Sequence, residues 1–270
     1  NLEGLFDIRI HEDLNILQAN GLGGGSLINA GVMARADDEV FKSEYWPAQI
    51  KAQSLAPFYT EAEELLGAFN NDGTNRSANT IFNHEEFNRG IGPKKYESLK
   101  RLSQGSHFKD TNITVNMVDQ KTTDAGIKLN ACNLCGDCAS GCNNNAKISL
   151  DKNLLALAAK NGVEIFTGVS VLCLDKLETS KQQSLWSIKT VYTDESLRSR
   201  QQSEYQTIKA KQVIVAAGAL GSTEILTRSK KNGLALSDQL GTRFSSNGDM
   251  MLVSYNQEQE TNAIANPATA

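Results

Sequence analysis

Three things that this sequence lacks narrow its function before any motif is considered. It lacks a basic excess: its 270 residues carry a formal net charge of −4, whereas neutralising nucleic-acid phosphates needs a basic surface. Its longest apolar run, 213–220, is strand-sized, whereas a helix that spans a bilayer needs about 20 apolar residues. It begins at Asn1 without an initiator Met or a leader, and it ends without an evident terminal element. We therefore expect a piece of a longer globular protein.

The composition is that of a folded chain. Hydrophobic residues make up 40% of the sequence, charged residues 21% and aromatic residues 6%, and the mean hydropathy is −0.37. The length allows one or two domains with a sizeable core. No internal repeat is present, so a solenoid is not expected.

The second half of the chain alternates between helix and strand signals. A helix is predicted over 149–161, where leucines recur at helical spacing and Asn161-Gly162 is a typical end. Another is predicted over 218–230, with Ser222 as its cap, directly after a continuous apolar stretch typical of a doubly buried strand. The predicted strands are 163–166, 169–174, the hairpin pair 186–193 and 205–210, and 211–217. The pattern favours an α/β fold with α+β elements.

The first half is less regular. Short apolar stretches predict one or two strands within 5–17, and a helix is predicted within 38–66, starting at Trp46-Pro47. Loop-rich sequence, a further helix and a short strand are predicted in turn over 67–93, 94–107 and 113–118. Glu61, Glu63 and Glu64 are expected on a solvated helix face.

Two glycine-containing turns are candidate ligand sites. Residues 20–31 hold five glycines, and residues 217–221 join a predicted strand to a helix N-terminus. Exposed backbone N–H groups in such turns bind anions, usually phosphates, and the helix dipole favours negative charge. Close packing against a neighbouring strand or helix explains the same glycines, so both interpretations stay open.

Four segments, in the same order and at approximately the same spacing, resemble the glucose–methanol–choline (GMC) flavoprotein oxidoreductases. They are GGGSLIN at 23–29, NNAKISLDK at 144–152, AGALGSTEIL at 217–226 and NGDM at 247–250. The second segment resembles the one before the central helix in the cholesterol-oxidase branch. The resemblance covers nearly the whole chain and is weakest over 67–130 and after 252.

The resemblance implies a discontinuous, Rossmann-like FAD-binding domain, incomplete at both ends. It would comprise 1–36, with the glycine-rich loop, and 131–250, with the cysteine-rich turn, central helix and hairpin. Residues 37–130 would form a helical and loop-rich insert or lid, and 251–270 the start of a substrate domain. The implied FAD contacts are Gly24, Gly25, Ser26, Asn29, Ala30, Gly31, Val171, Ala217, Gly218, Asn247 and Gly248.

Two parts of the family pattern are missing from the sequence. The opening βαβ unit with GxGxxG is not found, and neither is the late histidine with its partner that acts on the substrate hydroxyl. The only histidines, His11, His84 and His107, lie elsewhere and are expected on the surface or in loops. The resemblance therefore implies the central part of such an enzyme, with no catalytic residue in this chain.

Four cysteines are a candidate metal site. Cys132, Cys135, Cys138 and Cys142 follow the C-x2-C-x2-C-x3-C spacing of a bacterial ferredoxin run, which holds a [4Fe–4S] cluster. No proline follows the fourth cysteine, and only one such run is present. Bound zinc, reduced thiols and a local disulfide stay open as alternatives. Cys173 is expected to be a core residue.

The implied function is oxidation of a CH–OH alcohol by hydride transfer to FAD. The substrate would be a small-molecule alcohol, sterol-like in the branch that the motifs resemble, and the electron acceptor O2 or a redox partner. A bound cluster would favour a dehydrogenase over an oxidase. An iron–sulfur electron-transfer protein and a non-catalytic remnant are the alternatives.

Overall fold

The chain divides into two packed units in a computed structural model. The first runs to Ile165, with a few residues from Asn256 onward, and the second runs from Phe166 to Tyr255. The structure describes residues 4–68, 98, 101, 103, 111–117, 121–177, 185–194, 205–245, 247, 255, 256 and 258. The predictions over 67–93 and 94–107 lie mostly outside these residues.

Short antiparallel pairs form the sheets of the first unit. Strand β1 (Phe6–Ile10) pairs with β2 (Asn15–Ala19), with Phe6 opposite Ala19, which confirms two strands near the N-terminal end. The other pairs are β3 (Val32–Met33) with β4 (Asn112–Ile113), and β5 (Lys121–Thr122) with β6 (Lys128–Leu129). Beside β4 lies a buried cluster of Val115, Cys142 and Ala146.

Helix α1 (Ala52–Leu65) is shorter than the helix predicted within 38–66, and the predicted start at Trp46-Pro47 is wrong. The Trp46 indole N–H donates to the Ile50 carbonyl over 2.9 Å and closes a turn there. Lys51 is then extended, with φ −108° and ψ 152°, so helical backbone begins only at Ala52. Upstream of these residues, 40–42 form only a single 3₁₀ turn.

Glu63 was expected in solvent with Glu61 and Glu64, and for Glu63 this is wrong. Its side chain is 2% exposed and accepts from Arg35 Nε and Nη2, each over 2.7 Å. Such a fork-to-fork pair is the geometry that best compensates a buried carboxylate. Arg35 lies just after β3, so this pair joins α1 to the segment that leaves the glycine-rich turn.

Helix α2 (Leu154–Lys160) occupies most of the helix predicted over 149–161. It follows a 3₁₀ turn at Leu150–Lys152, and the Asn153 side chain caps it by accepting from the Leu154 N–H. The predicted end is confirmed, because Gly162 has φ +86° directly after the helix.

The second unit is a three-stranded antiparallel sheet with one helix against it. Strands β7 (Val169–Leu177), β8 (Leu185–Tyr192) and β9 (Gln206–Ala210) pair in that order, as the predicted strand and hairpin required. Helix α3 (Gly218–Lys231) packs on β7, and the Ser229 hydroxyl, fully buried, accepts from the Leu174 N–H over 2.8 Å. The helix predicted over 218–230 is thereby confirmed.

The strands predicted over 163–166 and 211–217 are wrong. Neither stretch pairs with a strand in the described part of the chain. Phe166 is 70% exposed, and Ile214, which was expected to be buried, is 83% exposed. A strand exists only through hydrogen bonds to a neighbour, and no described residue supplies one here. Every pairing among the described strands is antiparallel, so the fold mixes α and β elements without a parallel sheet within them.

No helix among the residues described is both long enough and apolar enough to cross a membrane.

Replacing Arg35 with Met should destabilise the protein, because the buried Glu63 carboxylate loses its partner. A buried pair broken on one side costs about 3–5 kcal/mol, and since the Arg35 side chain is 41% exposed we expect about 2 kcal/mol. Urea unfolding measures the loss. Lys42→Met, at the exposed Lys42–Glu39 pair, is the control and should leave the urea midpoint close to that of the wild type. Equal losses in the two variants would contradict this role.

Candidate functional site

The glycine-rich turn is a single tight turn of 3₁₀ backbone, Gly24–Leu27. Gly23 precedes it with φ +117°, and Gly24 itself has φ +53°, both in the region that side chains rarely adopt. Main-chain bonds close the turn, with the N–H groups of Ile28 and Asn29 both donating to the Gly25 carbonyl.

Within the glycine-rich segment 20–31, Gly31 has a different environment from Gly24 and Gly25. A β-carbon built on Gly31 would lie 3.2 Å from Val115 Cγ2, and Gly31 has φ +76°, so this glycine is required by packing and backbone conformation. A β-carbon on Gly24 or Gly25 would meet nothing within 4 Å. The close-packing interpretation therefore holds for Gly31, while Gly24 and Gly25 leave a strip of backbone open to a ligand.

The side chains of Ser26 and Asn29 are used inside the protein. The Ser26 hydroxyl donates to the Gly23 carbonyl over 2.7 Å and accepts from the Leu150 N–H over 3.0 Å. Asn29 Oδ1 accepts from the Gly31 N–H over 3.2 Å. These side chains fix the shape of the turn, and its backbone is the part that can face a ligand.

Lys147 is a buried charged residue that the sequence reasoning did not single out. Its side chain is 1% exposed, and Nζ donates to the carbonyls of Leu27 (2.8 Å), Asn29 (2.9 Å) and Cys138 (2.6 Å). Burial lowers the pKa of Lys147, and the nearby thiols of Cys138 and Cys142 act in the opposite direction. Its place in the family-like segment at 144–152 was the one available signal.

The four clustered cysteines are free thiols, so the local disulfide considered from the sequence is not formed. Cys142 is buried, and its Sγ accepts from the N–H groups of Ala146 (3.4 Å) and Lys147 (3.2 Å). Burial raises the pKa of Cys132 and of Cys138. Among the described residues, no group of three His, Cys, Asp or Glu side chains is placed to hold a metal ion. The geometry therefore offers no support for a cluster or for zinc. Cys173 is buried in β7, as expected.

The second unit carries the other predicted contacts. Val171 lies where the β7–β8 register shifts, and such a bulge removes backbone groups from the ladder. Arg228 of α3 uses the groups released there, with Nε donating to the Leu172 carbonyl over 2.6 Å. Gly218 has φ +73°, and a β-carbon on it would meet nothing within 4 Å.

Ala217 and Gly218 are both exposed at the start of α3. Ser222 does not act as the predicted cap. Its hydroxyl accepts from the Ala217 N–H over 3.0 Å, and Ala217 occupies the cap position. The Ser222 side chain within α3 therefore holds the backbone at the start of the helix, and Ala217 and Gly218 stay exposed.

The remaining predicted residues are exposed or lie outside the described part of the chain. Asn247 is exposed, and Gly248 is outside the described residues. His11 is exposed in the turn between β1 and β2, as expected. His84 and His107 lie outside the described residues.

Comparison with known families shows which family the chain belongs to. The family model described as GMC oxidoreductase matches residues 9–246. The chain belongs to the GMC oxidoreductases. The matched span includes both glycine-containing turns, the cysteine cluster and Lys147. The expected resemblance is confirmed, and with it an FAD-binding oxidoreductase family. The open backbone at Gly24 and Gly25 fits such a cofactor, because a flat ring or a pyrophosphate approaches bare backbone closely.

Curated relatives of this GMC chain carry a more specific name. It is 28% identical over 269 residues to the cholesterol oxidase of Acinetobacter baumannii, an alignment that covers 93% of this chain and 45% of that protein. It is also 28% identical over 250 residues to the cholesterol oxidase of Mycobacterium tuberculosis (strain CDC 1551 / Oshkosh), covering 90% of this chain and 41% of that protein. The chain spans less than half the length of either relative.

Alkylation of native protein with iodoacetamide should be slow at Cys132 and Cys138 at neutral pH and should accelerate as the pH rises. The reason is that a raised pKa lowers the thiolate fraction, and the thiolate is the nucleophile. Peptide mass spectrometry measures the rate at each cysteine, and the control is the same reaction in urea. Neutral-pH rates equal to those in urea would contradict the burial. Protection of all four clustered cysteines that a chelator relieves would show metal ligation instead.

Proposed function

We propose that this chain is the FAD-contacting part of an enzyme that oxidises a CH–OH group of a small-molecule alcohol. The observation that carries the proposal is the open backbone strip at Gly24 and Gly25, in a segment that resembles the family's cofactor loop. When bound, FAD would supply the acceptor for the hydride that leaves the carbinol carbon. The Rossmann-like arrangement and the domain boundaries suggested by the resemblance belong to this proposal.

The chain's own residues would bind and orient the cofactor. The backbone of Gly24, Gly25 and Ala30 would lie along it, because the side chains of Ser26 and Asn29 are turned to internal partners. Val171, Ala217, Gly218, Asn247 and Gly248 are the further contacts that the resemblance suggests. No residue of this chain is proposed as the general base.

The names of the relatives favour a sterol-like alcohol as substrate and O2 as electron acceptor. Both relatives are called cholesterol oxidases, and this chain aligns with them over at least 90% of its own length. A redox partner as acceptor, and with it a cluster on the cysteines, is the alternative that the sequence raised.

The full-length protein should purify with a visible flavin spectrum. Adding a sterol alcohol without air should bleach that spectrum, because the flavin becomes reduced, and the corresponding ketone should leave it unchanged. Hydrogen peroxide should form when air is admitted. Protein without flavin would overturn the proposal, while stoichiometric iron and acid-labile sulfide would favour the dehydrogenase alternative.

Gly25→Ala should weaken FAD binding without loss of stability. The new methyl meets no protein atom within 4 Å, so the fold tolerates it, but it occupies the strip where the cofactor would lie. Fluorescence titration of apoprotein should show at least about tenfold weaker binding, the effect of about 1.4 kcal/mol.

Gly126→Ala is the control for this variant. Gly126 is equally open, but it has φ +92°, so alanine there is strained and should cost about 1 kcal/mol of stability. Its FAD affinity should stay unchanged. Unaltered affinity in Gly25→Ala would move the cofactor away from this turn.

A further inference from the structure

Lys147 is a buried cation whose partners are all main-chain carbonyls. Its ammonium has three N–H groups, and the carbonyls of Leu27, Asn29 and Cys138 accept one hydrogen bond each, at 2.6–2.9 Å. Every donor of a side chain that is 1% exposed is therefore satisfied. A lysine that served only to fill space would leave these donors without acceptors, at a high cost.

Two of the three acceptors belong to the glycine-rich turn. The peptide that joins Asn29 to Ala30 is trans, as are all peptide bonds of the described residues, so its C=O and N–H point in opposite directions. The carbonyl faces Lys147, and therefore the Ala30 N–H faces away from it. Ala30 is exposed, and its N–H forms no hydrogen bond with a described residue.

The charge on Lys147 also strengthens that free donor. A cation bonded to the carbonyl oxygen draws electron density through the peptide group and makes the N–H on its other side a better donor. The same ammonium reaches the carbonyl of Leu27, and the N–H of that peptide, which belongs to Ile28, is already bonded to the Gly25 carbonyl. Of these two polarised peptides, only the one ending at Ala30 offers its N–H to a ligand.

We propose that Lys147 is a positioning residue of the cofactor site, which holds the glycine-rich turn so that the Ala30 N–H donates to an acceptor atom of bound FAD. This inference rests on the proposed function for the identity of the ligand. The third bond, to Cys138, anchors the lysine in the cysteine-bearing segment, so the position of the donor depends on both loops.

The test compares three variants with the full-length wild-type protein. Lys147→Met removes the charge and all three donors at nearly constant length. Lys147→Gln removes the charge but keeps an amide donor, and it decides the question if Lys147→Met fails to fold. Lys160→Met removes an exposed lysine at the end of α2 and is the matched control.

Two readouts are needed, one without cofactor and one with it. In apoprotein, hydrogen exchange of the bonded amides of Ile28, Asn29 and Gly31 should be at least about tenfold faster in both Lys147 variants, because the carbonyl anchors are lost or weakened. In the FAD titration, affinity should fall about tenfold or more, and the visible flavin spectrum should shift because the Ala30 N–H is displaced and no longer polarised by the ammonium. Lys160→Met should match wild type in both.

The outcomes separate this inference from the proposed function. Wild-type affinity and spectrum in a folded Lys147 variant would overturn the positioning role while the flavoenzyme stands. Unchanged exchange over 27–31 would equally overturn it, whether or not FAD binds. A wild-type protein that binds no flavin would overturn the proposed function, and the exchange experiment would still report whether Lys147 holds the turn.

Discussion

One buried ammonium organises the most specific region of this protein. Lys147 is only 1% exposed, so its three donors require protein acceptors in fixed positions. Residues more than a hundred positions earlier supply two of them, and the cysteine-bearing segment supplies the third. Moving any one of these loops would leave part of a buried charge uncompensated. Lys147 therefore holds the glycine-rich turn from one side, and the opposite side of the turn faces no described residue that would exclude a ligand.

The glycines of the turn can then serve two purposes within a few residues. Gly31 lets the chain pass against Val115, which is a packing requirement of the fold, while Gly24 and Gly25 leave backbone uncovered, which the fold does not require. Structure that stability does not need is where function is expected. The chain belongs to the GMC oxidoreductases. We propose that the uncovered strip faces the flat, anionic dinucleotide that this family binds.

Much of the fold was predictable wherever local pattern decides it. The strands near the N-terminal end, the three-stranded sheet and helix α3 follow from the hydrophobic pattern, because their partners are close in sequence. The same reasoning fails where a residue's partner is distant in the sequence. Glu63 looked like a solvated charge until Arg35 was found beside it, and the burial of Lys147 depends on carbonyls that carry no sequence signature. The glycine-rich turn was recognisable as a motif in the sequence. Only the structure shows that Gly31 is packed against Val115 while Gly24 and Gly25 are open.

The stretches around Phe166 and Ile214 have a practical consequence. In each stretch a large apolar side chain is exposed, and the backbone pairs with no strand in the described part of the chain. Unpaired extended backbone beside exposed apolar side chains can pair with another chain. Natural proteins normally prevent this with charged residues or a covering element. This polypeptide by itself should therefore self-associate at high concentration. The association would run through these two short segments, which are remote from the glycine-rich turn in sequence. Ile214→Lys would be the first substitution to make to obtain a monodisperse sample.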